Sequence, residues 1–379
     1  MVQAKAFIVP EKQAPFQSNT VELDVLQSGE VLVELKATGI CQTDLVVQSG
    51  KIPVPFPAIL GHEGAGVIRA VGSAVTDLVV GDHVVLSYNY CKTCLSCRAG
   101  KTFHCSDIRA RNFGSQRPDG SQTVISDDGL EGTISTCFFG QSSFCNPAVV
   151  QEACCVKVDK ELPLSVLCSF GCGFQTGTGS IFNVVRPIER QARSLLVFGL
   201  GSVGAAAIMA AKVQAEDCPG VLDTIIAVDV VDEKLSIAVE LGATHVINSA
   251  KEDLERRVAE ITHGQGIDAA IDCTGVISVV NSMVSLVGAG GVAVTVGGPP
   301  AGLKASIDVF DMLINCKTYI GCHQGNAYSK TFIPLMIDLY RKGRLPLDKL
   351  QKTYKVTDIN LAVTDMKAGR VWKPVLLWD

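Results

Sequence analysis

Apolar and polar residues alternate in short runs over the first part of the chain. The runs at residues 5–9, 31–37, 66–70 and 83–86, separated by Gly and Pro, predict strands. This pattern reads as a mostly β domain whose loops carry the chemistry. Near Gly173 the rhythm changes. From Ser194 onward strands are predicted at 195–198, 224–228, 245–247, 267–272 and 291–296, with helices at 205–215, 233–241, 252–262 and 278–287. Strands and helices taking turns at these lengths make βαβ units around a parallel sheet. Beyond Gly321 the pattern predicts one more helix, at 330–342, and short apolar runs to Leu377.

A chain of 379 residues with 47% hydrophobic side chains can bury two domain cores, so disorder is excluded. The net charge is −5 with no dense cluster of Lys and Arg, which argues against nucleic acid as a partner. The apolar stretch at 195–211 is interrupted by Gly199, Gly201, Ser202 and Gly204 and suits a strand, turn and helix better than a membrane span. Residues 1–15 lack the charged start and apolar core of a secretory peptide, and a cytosolic location is expected. The fifteen cysteines are then expected as reduced thiols, each a small buried hydrophobe or a metal ligand.

The run Ser194-Leu-Leu-Val-Phe leads straight into Gly199-Leu-Gly201-Ser-Val-Gly204 and an alanine-rich helix. Three spaced glycines alone are a weak signal; the flanking strand and helix supply the context of a dinucleotide site. Gly199 would allow the tight turn, Gly201 the approach of a pyrophosphate, and Gly204 close packing of helix on strand. The next strand closes on Asp229, 25 residues after Gly204, with a longer loop through Pro219-Gly220. A carboxylate there accepts the adenosine ribose hydroxyls and repels a 2′-phosphate. With no Arg close behind, the reading favours NAD over NADP. The alternative is a solvated strand end.

Cys91, Cys94, Cys97 and Cys105 stand within fifteen residues, enough thiolates to close a tetrahedral structural zinc site. Four free thiols or an iron–sulfur cluster are the competing readings. A second group is dispersed: Cys41 in GICQTD, His62 in GHE and Cys172 in GCG. Each is weak alone. Together they offer two thiolates and an imidazole with one position to spare, as a catalytic zinc site requires.

These segments, with PAILGHEGAGVI at 57, FFGQSSF at 138, GCGFQTGTG at 171, VGGPP at 296 and KPVL at 373, resemble the zinc-containing medium-chain alcohol dehydrogenases over nearly the whole chain, and among them the aryl (benzyl) alcohol dehydrogenases. The resemblance implies an α/β protein. A mostly β, GroES-like catalytic domain would span 1–173 and 323–379, and a doubly wound Rossmann domain 174–322. It implies two zinc ions per chain, NAD, and a homo-oligomer, dimer or tetramer. Cys41, His62 and Cys172 match the catalytic zinc ligands. Thr43 matches the proton relay, Asp44 the residue that fixes the His62 ring, and Glu63 a carboxylate behind the zinc. Thr176, Val203 and Val296 match positions along the nicotinamide. Lys234 matches a neighbour of the adenosine ribose, and Lys373 a basic contact to the pyrophosphate.

Two departures stand out. Gln42 takes the place of an Arg or His that touches the pyrophosphate in many relatives, and Val46 the place of a histidine that ends the proton relay. Cys137, Cys145, Cys154, Cys155 and Cys168 match no motif and are expected in the core. Tyr88 and Phe138 or Phe139 are candidates for the wall of an aromatic-lined pocket, or for core packing. His323 is expected to turn over the pocket or to meet solvent. The function expected is reversible oxidation of a primary aromatic or allylic alcohol. The alternatives are a reductase for a specialised aldehyde or ketone, a glutathione-adduct formaldehyde dehydrogenase, and a non-catalytic scaffold.

Overall fold

Parallel pairing joins the strands of the middle segment in the order His245–Asn248, Thr224–Asp229, Ser194–Phe198, Ile267–Asp272, Val287–Thr295 and Thr318–Gly321. Numbered along the chain, this is 3-2-1-4-5-6, the doubly wound order with its switch point beside the first strand. The computed structural model describes residues 2–127 and 132–378. The strand Ser194–Phe198 is buried at every position, as a continuous apolar run covered on both faces must be. Most helices of this unit lie within two residues of the expected ends. The helix expected at 252–262 starts later, at Leu254–Ile261, because the Asp253 side chain accepts the Arg256 N–H and caps it.

The chain divides into two units. One comprises residues 1–172, 328–337 and 347–379; the other comprises 173–327 and 338–346. The first boundary thus falls one residue before the expected position. The return to the first unit comes at Tyr328 rather than 323, and residues 338–346 belong with the second unit.

The first unit is built on mostly antiparallel sheets, the exception among its paired strands being Gln351–Lys355, which runs parallel to Lys373–Leu377. Glu30–Gly39 pairs with Gly64–Val71, which pairs with His83–Leu86. The C-terminal strand Lys373–Leu377 also pairs with Glu30–Gly39, bringing the end of the chain beside Ile40. A second sheet centres on Val2–Val9 and Gln17–Leu23, the latter not expected from the sequence. Both faces drain into a core that includes Phe7, Leu35, Ile40, Leu60, Phe138 and Phe144. Another unexpected element is the helix Gln42–Gln48, whose N-cap is Cys41.

Candidate active site and metal centres

The helix Gln42–Gln48 places Asp44 one turn from Cys41, and its buried carboxylate does three things. Oδ2 accepts the Cys41 N–H at 2.8 Å, while Oδ1 accepts the Gly61 N–H at 3.1 Å and meets His62 Nδ1 at 2.9 Å. An ionised carboxylate is an acceptor, so Nδ1 is the protonated nitrogen and Nε2 carries the lone pair. His62 Nε2 is buried with no hydrogen-bond partner. A buried polar atom without a partner is costly unless something else binds it. The ring is also held sideways: Phe139 stacks on it at 4.4 Å and Phe138 meets it edge-on at 5.4 Å.

Donor atoms of Cys41, His62, Glu63 and Cys172 all lie within 4.8 Å of one another, and all four residues are buried. Two soft sulfurs, an imidazole lone pair and a carboxylate fit a zinc ion. A hydrogen bond from Cys172, aided by the positive charge of Lys373, holds the Cys41 thiol well below the usual range despite burial. The turn before His62 requires glycine: Gly61 has φ +88°, and a side chain there would start 2.6 Å from the Phe144 nitrogen. Thr43 is half-buried, its hydroxyl 3.8 Å from the Cys41 sulfur.

The cysteine lobe forms a second donor set. The four sulfurs lie within 4.8 Å of one another, with Cys91 and Cys97 3.8 Å apart. Tetrahedral zinc with bonds of about 2.3 Å needs sulfurs about 3.8 Å apart. Sulfurs this close leave room for one ion and not for a cluster of several metal atoms. Backbone N–H groups point at the sulfurs, Cys91 N to Cys105 and Cys94 N to Cys91 at 3.3 Å each. The Cys97 N–H is the main cause that lowers the Cys94 thiol to about 6. These bonds favour thiolates, which are the form that binds metal.

In the second unit, Gly199 turns at φ +83° and Gly204 lies so close that a side chain would start 2.0 Å from the Gly199 carbonyl oxygen. At Gly201 a side chain would meet nothing of this protein. That open space leaves room for a pyrophosphate to approach the backbone at Gly201. The helix Ser202–Asp217 starts directly after it. Asp229 Oδ2 accepts the Leu200 N–H at 2.7 Å, and Lys234 Nζ lies 4.0 Å from the same oxygen. Thus Asp229 also braces the glycine loop. Thr176 and Val203 are half-buried on helices Gly173–Gly179 and Ser202–Asp217, and Val296 is half-buried just past Val287–Thr295.

Comparison with known proteins gives the family. Residues 27–160 match the alcohol dehydrogenase GroES-like domain and residues 202–342 the zinc-binding dehydrogenase domain. The chain is 35% identical to a geraniol dehydrogenase of Castellaniella defragrans, over 100% of this chain and 98% of that one. It is 34% identical to an S-(hydroxymethyl)glutathione dehydrogenase of Paracoccus denitrificans, over the full length of both. The crystal structure of a benzyl alcohol dehydrogenase from Acinetobacter calcoaceticus superimposes with a TM-score of 0.93, at 39% identity and full coverage of both chains. The chain belongs to the zinc-containing medium-chain alcohol dehydrogenases. Zinc and NAD are the cofactors of this alcohol dehydrogenase.

Lys373, expected beside a pyrophosphate, is fully buried in the first unit, where its ammonium donates to both oxygens of Glu63 at 2.8 Å and to the Ile40 carbonyl at 3.3 Å. Burial raises the Glu63 carboxyl, with Lys373 opposing it, and Lys373 is itself held above the ordinary lysine range by Glu63 and Cys41, against its own burial. Tyr88 is core, its hydroxyl bonded to Thr102 of the cysteine lobe. The five unassigned cysteines are buried, and burial pushes the thiols of Cys137, Cys145, Cys155 and Cys168 up to about 12. Gln42 and His323 are exposed and Val46 is half-buried. Among the described residues, no helix is long and apolar enough to cross a membrane.

Proposed function

We propose that this dehydrogenase interconverts a primary aromatic or allylic alcohol and its aldehyde with NAD. The observation that carries the reading is the buried donor set of Cys41, His62 and Cys172, with the His62 lone pair otherwise unpartnered. The substrate class is supported by relatives named for benzyl alcohol and for geraniol, primary alcohols next to a ring or a double bond.

Cys41, His62 and Cys172 hold the catalytic zinc, and Cys91, Cys94, Cys97 and Cys105 the structural one. When bound, zinc is a Lewis acid that makes an alcohol hydroxyl acidic near neutral pH, and NAD takes up the hydride. Asp44 keeps the His62 proton on Nδ1, so Nε2 stays a ligand. Thr43 Oγ1, beside the Cys41 sulfur, relays the alcohol's proton, accepting it while giving up its own hydroxyl proton toward the nicotinamide ribose. Glu63 has both oxygens occupied by Lys373 and acts as a charge behind the ligands. The glycine loop and the N-terminus of Ser202–Asp217 bind the pyrophosphate. Asp229 and Lys234 flank the adenosine ribose, and Thr176, Val203 and Val296 position the nicotinamide.

The protein works as a homo-oligomer, a dimer or tetramer. Support comes from Val309, Phe310, Leu313 and Ile314, all at least 65% exposed on one short helix, and from the exposed last strand Thr318–Gly321. A monomer by light scattering would end that part. The fifteen cysteines, none of them in a disulfide, suit a reducing, cytosolic compartment.

The test is NAD reduction by purified protein with benzyl alcohol, cinnamyl alcohol, short saturated alcohols and S-(hydroxymethyl)glutathione. Benzyl and cinnamyl alcohol should give the highest kcat/KM. Preference for the glutathione adduct or a saturated alcohol would overturn the substrate class, and no turnover with any would overturn the catalytic reading.

A further inference from the structure

Gln141 is completely buried in the first unit, in the FFGQSSF segment. Its carboxamide is spent on three backbone groups. Nε2 donates to the His62 carbonyl and to the Ser87 carbonyl, each at 3.0 Å, while Oε1 accepts the Gly64 N–H at 3.2 Å. The amide orientation follows from these partners, since a flipped group would set its oxygen against two carbonyls and its NH2 against an N–H. By gripping the carbonyl of His62 and the N–H of Gly64, the side chain holds the backbone on either side of Glu63.

The third contact leads to the other ligand segment. Ser87 follows the strand His83–Leu86, and its buried hydroxyl donates to the carbonyl of Gly171 at 2.6 Å, one residue before Cys172. Gly171 is pressed so tightly on this strand end that a side chain would start 1.8 Å from the Leu86 carbonyl oxygen. The chain His62–Gln141–Ser87–Gly171–Cys172 is therefore continuous, buried and made of directional bonds. Asp44 joins Cys41 to His62 on one side; Gln141 and Ser87 join His62 to Cys172 on the other.

We infer that Gln141, acting through Ser87, is a positioning residue that fixes the His62 and Cys172 ligands relative to each other. Neither side chain is a ligand, and neither is asked to touch substrate. Partners of ligands typically change metal affinity about 10–100-fold when removed. The inference rests on the reading of Cys41, His62 and Cys172 as zinc ligands.

Its test uses Gln141→Met, which keeps length and removes all three hydrogen bonds, and Ser87→Ala, which keeps the Gln141 bonds and removes the Gly171 arm together with the Ser87 hydroxyl's 2.9 Å contact to Ser329. Ser87→Thr, which retains a hydroxyl, serves as the conservative control. Each protein is prepared with zinc, and release to a chelator is timed separately for the two sites. The catalytic site is then refilled with cobalt and its visible spectrum recorded. Gln141→Met should lose the catalytic-site metal at least about tenfold faster than the parent, with altered cobalt bands and an unchanged cysteine-lobe ion. Ser87→Ala should move both readouts the same way by less, and Ser87→Thr should lie nearer the parent. If Gln141→Met does not fold, Ser87→Ala decides alone. Parent-like release and spectrum in whichever variants fold would overturn the inference. A parent protein with no metal held by Cys172 would instead overturn the ligand reading, a result that Cys172→Ser, measured alongside, tells apart.

Discussion

Lys373 and Glu63 form an ion pair with both side chains cut off from solvent, although 310 positions separate them in the sequence. The C-terminal strand delivers the lysine to the back of the candidate zinc site. Removing one partner of a buried pair leaves an uncompensated charge, at a cost of about 3–5 kcal/mol. Lys373→Met should lose about that much in denaturant unfolding, and adding Glu63→Gln should restore most of it. A single-variant loss below about 1 kcal/mol would show that the pair is not critical to the fold.

Elemental analysis of fresh protein should find two zinc ions per chain. Cys94→Ser should remove one ion and lower the thermal midpoint, because a closed thiolate site contributes to folding. Cys172→Ser should remove the other and abolish turnover with little change in midpoint. One ion or none in the parent protein would count against the two-site assignment.

Asp229 braces the Leu200 N–H and is proposed to repel a 2′-phosphate, and one substitution can part these roles. Asp229→Asn keeps an acceptor for the Leu200 N–H but removes the charge. The preference in kcat/KM for NAD over NADP should shrink while the KM for NAD changes little. A parent enzyme that uses NADP as well as NAD would refute the role of the charge.

Thr43→Val keeps the shape of the side chain and deletes its hydroxyl. Zinc content should hold while kcat falls by about 10²–10⁴, the usual worth of a positioned proton carrier. Thr43→Ser should retain much of the activity. Normal turnover by a zinc-replete valine variant would remove Thr43 from the relay.

Periodicity made the second unit legible: each Rossmann strand predicted between 195 and 296 exists, because buried parallel strands must be continuous apolar runs. The cysteine lobe was legible for a similar reason, since its four donors sit close in sequence. The helix Gln42–Gln48 was missed because cysteine is an unusual N-cap; the clue was Asp44 at the third position, reaching back to the Cys41 N–H. Gln141 and Ser87 left no pattern at all. A side chain that bonds distant backbone groups has no characteristic spacing, and a buried Gln looks like any surface Gln in a sequence. The interior partner of Lys373 was hidden for the same reason, and only the pairing of Lys373–Leu377 with Glu30–Gly39 brings it to Glu63.

The triple acceptance by Asp44 also bears on how this region can change over time. Cys41 and His62 lie on either side of the segment 45–60, and both are anchored to one carboxylate at its root. A segment pinned at its two ends acts as a closed loop, and lengthening such a loop costs little free energy. Leu45, Val47, Ile59 and Leu60 pack in the core, so insertions and replacements are open to drift only around the more exposed stretch 51–53, whereas position 44 has no such latitude.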